Sequence, residues 1–74
     1  MYRILYQDLA GNFNISNAGT PMEMERSAFE IASAKYIIIC IYDYQHKRTL
    51  FECLKYNLYW SIVNELVYEN KQTA

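Results

Sequence analysis

The sequence predicts an α+β fold, a four-stranded antiparallel sheet in the order 2-1-3-4, built as ββαββα with two helices. Three observations lead there. Short β-rich runs come in pairs around turn-forming letters, a strongly capped helix separates the pairs, and an amphipathic helical repeat follows the second pair. The 74 residues suit one domain spanning 1–74. Apolar letters make up 53%, enough for a core even with the eight tyrosines set aside, and only two Gly and one Pro interrupt them.

Residues 2–6 (Tyr2, Arg3, Ile4, Leu5, Tyr6) open with a strand. Asp8, Gly11 and Asn12 mark a turn, because Gly11 tolerates positive φ and the two polar side chains bond nearby backbone. Residues 13–16 alternate apolar and polar and complete a hairpin. The sharpest local signal comes next. Thr20, Pro21 and Glu23 read as N-cap, N1 and N3 of a helix running to about Ala34, with Glu23 reaching back to close a capping box.

Residues 36–42, from Tyr36 to Tyr42, are apolar on both parities and read as a central strand. Residues 43–48 turn the chain and 49–53 return, with Asp43 expected opposite Arg48 across a four-residue loop. Leu58, Tyr59, Ile62, Val63, Leu66 and Val67 then recur at helical spacing over residues 55–70, and residues 72–74 are expected to fray. A right-handed crossover through the first helix sets the third strand beside the first.

Strand parity gathers Tyr2, Ile4 and Tyr6 with Phe13, Ile15, Ile37, Ile39, Ile41 and Leu50 in one aliphatic layer for the helices to cover. The other face then carries Arg3, Leu5 and Gln7, and also Tyr36, Ile38, Cys40, Tyr42, Phe51 and Cys53. That second group is too apolar for solvent alone. Either it is an interaction surface or the C-terminal helix crosses over and covers it, and the sequence leaves both open. The last helix is apolar round half its circumference, wider than docking on one sheet requires, with Tyr56, Trp60 and Val67 at one edge.

Composition excludes several classes of function. Net charge is −1 with a pI of 5.7, so neither a phosphate track nor an acidic mimic of one is present. His46 is the one histidine and lies in a polar turn, where solvation explains it. Cys40 and Cys53 lack a metal-ligand spacing and are expected as reduced core thiols. No cofactor is implied. Neither a nucleophile beside a base nor a glycine-rich phosphate cradle appears, so a non-enzymatic chain is expected. The opening residues do not form a signal peptide, and the longest apolar run is far short of a membrane span, so a soluble, cytoplasmic chain is expected.

In order of elements alone, the strand at residues 2–6, the helix at 20–34 and the hairpin at 36–53 resemble some small phage-encoded inhibitors, anti-CRISPR proteins among them. This likeness covers about two thirds of the chain. It implies an inhibitor that binds a larger protein, and it carries no functional residue across. Read from the residues, surplus apolar surface points to a protein partner or a homodimer. The candidate contacts are Tyr36, Tyr42 and Phe51 on the sheet and Tyr56, Trp60 and Val67 on the last helix. An alternative is a small RNA- or single-stranded-DNA-binding domain stacking bases on the aromatic sheet face.

Overall fold

The computed structural model describes residues 1–68. The strands are β1 (Tyr2–Gln7), β2 (Phe13–Ala18), β3 (Ile37–Asp43) and β4 (Arg48–Glu52). They form one antiparallel sheet in the expected order β2-β1-β3-β4. Helix α1 (Pro21–Ser33) links the two hairpins, and α2 (Asn57–Val63) runs on into a π-helical turn over Asn64–Tyr68. The single α-helix expected over residues 55–70 is therefore shorter and changes winding at Asn64. Its last two residues, with the fraying expected at 72–74, lie outside the described residues.

Local chemistry explains the element ends. Asp8 Oδ1 accepts the N–H groups of Ala10 and Asn12, and Gly11 takes φ 89°, which turns the chain over five residues. Thr20 accepts the Glu23 N–H at 3.1 Å, while Glu23 Oε1 accepts from the Gly19 N–H, one residue further back than a standard box. At the far end of α1 the Lys35 N–H bonds to Ala32 O and the Tyr36 N–H to Ile31 O, with Lys35 at φ 68°. That is a Schellman ending with lysine where glycine is usual.

Loop length and two bulges correct the expected faces. The five-residue turn sets Gln7 opposite Phe13, so Phe13 and Ile15 share a face with Leu5 and not with Ile4. Between β1 and β3 the register shifts after Leu5. Ile4 then faces Ile41, Leu5 faces Cys40, and Tyr6 faces Ile38. Ile37, Ile39 and Ile41 therefore do not share a side. Between β3 and β4, Asp43 does pair with Arg48, but a second shift leaves Leu50 as the extra residue. Phe51 then lies opposite Ile41, and Glu52 takes the expected place of Phe51 opposite Cys40.

Both sheet faces carry helix. On one, α1 packs on β1, β2 and β3, burying Ile31 over the side that holds Ile4. On the other, Tyr59, Val63 and Val67 bury Leu5, Ile39 and Cys40 in a single cluster, with Phe13, Tyr42 and Tyr44 against it. Of the two readings left open, the covering helix is the one observed. At ~25 cal/mol per Å2 of apolar area removed from water, these two layers supply the main favourable term in folding. Strand β4, at the edge, remains exposed along its whole length.

Candidate protein-binding surface

The six candidate contacts divide four ways. Tyr36 lies on the α1 side, half-buried and stacked on Tyr6 with ring centroids 5.7 Å apart. Phe51 is exposed on the same side at the β4 edge, opposite Ile41. Tyr42 lies on the opposite face, half-buried between the rings of Tyr44 and Tyr68 at 4.8 and 5.3 Å. The aromatic trio expected on one open sheet face is thus split by the bulges. Val67 is 0% exposed and has no surface to offer a partner. It belongs to the core because the turn carrying it lies flat on β1.

Tyr56 and Trp60 both stand in solvent at the start of α2. Tyr56 is the N-cap, with extended backbone, and Trp60 lies in the first turn; they are 58% and 51% exposed. Their base is rigid. Tyr56 meets Tyr59 edge to face at 5.1 Å, Tyr59 meets Phe13 in the same way at 6.1 Å, and the Tyr59 hydroxyl donates to Gln7 Oε1 at 2.6 Å. Ile37, the register partner of Gln7, is exposed at the end of the sheet where Gln7 accepts the Tyr59 hydroxyl. Parity assigned Ile37 to the covered layer, and only the Ile39 bulge, silent in the sequence, brings it out on this side.

Arg3 and Tyr44 hold the π-helical turn that continues α2. Here Arg3 Nη1 donates to Leu66 O at 2.9 Å and the Tyr44 hydroxyl donates to Val67 O at 2.6 Å. Arg3 is buried, its guanidinium lies over the Tyr44 ring at 5.5 Å, and its Nε donates to Asn17 Oδ1. The sheet therefore holds α2 through Gln7 and the turn that follows it through Arg3.

His46 is not simply solvated. Its Nδ1 lies 2.7 Å from Asp43 Oδ2, and the Asp43 side chain is wholly buried while accepting the N–H groups of Gln45 and His46. Arg48 Nε approaches the same oxygen at 3.5 Å. Burial pushes the Asp43 carboxyl up, but the His46 side chain and backbone hydrogen bonds outweigh it and hold the group below its ordinary value. The Asp-x-x-His spacing in the turn was the available signal for this lock. Burial raises the Cys40 thiol to about 11, so at neutral pH it is no thiolate nucleophile. Both cysteines are free, as expected.

Among the described residues no group of three or more His, Cys, Asp or Glu side chains is placed to hold a metal ion. No helix there is long and apolar enough to cross a membrane. Comparison with protein-family models, curated proteins and solved structures finds no match.

Proposed function

We propose that this chain is a non-enzymatic protein-binding module that presents Tyr56 and Trp60, with exposed Ile37, to a larger protein. One observation carries the reading. A tryptophan stays half in solvent on a helix whose opposite side is core, on a base locked by aromatic contacts and by the Tyr59–Gln7 hydrogen bond. Rigid Trp and Tyr side chains are the anchors that interfaces favour, since little side-chain freedom is lost when they bind. An inhibitor or adaptor built this way acts by occluding or bridging its partner. Base stacking on the sheet loses its support, because Tyr42 lies under the C-terminal turn and Tyr36 against Tyr6.

The test is differential capture. The wild-type chain, Trp60→Ala and Tyr56→Ala are each immobilised and exposed to lysate of the source cell, with retained proteins identified by mass spectrometry. A partner held by wild type and lost with both variants, at unchanged circular dichroism, is expected. Undiminished capture by Trp60→Ala would refute the assignment.

A further inference from the structure

The outer face of α1 carries two apolar side chains that stand in solvent. Met22 and Phe29 are 70% and 73% exposed. Seven residues apart, they lie on one line about two turns, ~10 Å, along the helix. That line is opposite the stripe of Met24, Ser27, Ala28 and Ile31, which faces the sheet. Glu25 and Arg26 flank the line, one on each side. Both are exposed, and among the described residues neither takes part in an ion pair.

We propose that a second copy of this chain docks here, α1 against α1, parallel about a two-fold axis. Charge selects both the occupant and the orientation. In a parallel pair the left flank of one helix meets the right flank of the other, so Glu25 faces the copy's Arg26 twice over. Met22 then meets Met22, and Phe29 meets Phe29. In an antiparallel pair each flank meets its own kind, and Glu25 would lie by Glu25 and Arg26 by Arg26, which repels. One helix face is smaller than the ~800 Å2 per partner of a standard interface, so the dimer is of roughly micromolar affinity or weaker. The surface around Trp60 stays open in it.

Sedimentation of the full chain over a concentration series tests this, with Glu25→Arg and Arg26→Glu as the variants. The wild type should show a reversible monomer–dimer equilibrium. Each single reversal places like charges on both flanks and should weaken association about tenfold or more. The double variant, E25R with R26E, should recover it. So should an equimolar mixture of the two single variants, in which every flank meets the opposite sign. All these positions are exposed on one helix, and circular dichroism verifies that each variant folds. Trp60→Ala should leave the equilibrium unchanged, which separates this face from the α2 flank. A wild type that stays monomeric at millimolar concentration overturns the proposal. So do single reversals without effect, or a mixture that fails to recover.

Discussion

Arg3 ties the covered face of the sheet to the turn that follows α2. It is the charged side chain in β1, it is buried, and it spends one donor on Asn17 and another on the carbonyl of Leu66. Replacing it by Met keeps much of the apolar stem and removes both donors. Loss of a charged hydrogen bond to the Leu66 carbonyl is expected to cost about 2–3 kcal/mol, read by urea denaturation. A loss below about 0.5 kcal/mol would mean that water serves Leu66 equally well.

Titratable side chains set the pH limits. Asp8, held low chiefly by the Asn12 N–H, and Asp43 both have carboxyls below their ordinary 3.8. A depressed carboxylate contributes stability above its unfolded value and loses it as pH falls through the folded one, so the acid limb begins below about pH 4. At the alkaline end, burial raises Cys40 from 9.0 to about 11, and burial is also the main cause that lifts Tyr44 and Tyr68 above 10.0. Those neutral forms stabilise the fold fully below pH 9 and progressively less as pH rises above it. Tyr68 donates to Glu52 and lies 2.9 Å from Thr49 Oγ1. Tyr68→Phe should flatten the alkaline limb and leave the acid limb in place, measured as denaturation midpoints across a pH series.

Among the elements, α1 is the one written most plainly in the sequence. Thr20 and Pro21 start it as read, with Glu23 bonding Gly19 in place of Thr20, and its end within a residue of Ala34 follows from the next strand. The ending itself was hidden. Lys35 sits at φ 68°, a conformation that costs a side chain with a Cβ roughly 1 kcal/mol and glycine almost nothing. Lys35→Gly should therefore raise stability by about 0.5–1 kcal/mol in thermal or urea unfolding. A fall would show that the lysine stem packs usefully there.

Strand positions and order were also legible, because β-branched runs and turn letters state them directly. Face assignment was not. It depends on whether a loop has four or five residues, and on bulges at Ile39 and Leu50 that no residue type announces. One slipped residue moves every later side chain to the other face. That is why Tyr36, Tyr42 and Phe51 read as a set and are found apart. The π turn was equally unmarked. It shortens α2 and places Val63, Val67 and Tyr68 together over the sheet, so Val67 passes from helix edge to core.

On the scale of the molecule, two helices against two faces of one thin sheet leave the surplus apolar area at helix flanks and at the β4 edge. The sequence signalled the surplus and misplaced part of it, Val67 being core. Of the candidate contacts, Tyr56 and Trp60 keep exposure at the start of α2, whose place in the sequence is independent of any sheet register. Trp60 is the sole tryptophan, so its fluorescence reports on that one position. Acrylamide quenching of Trp60, in the isolated chain and then with the captured partner at saturation, tests the binding surface most directly. Ready quenching alone and strong protection in the complex are expected; equal quenching in both states would contradict a partner seated on this flank.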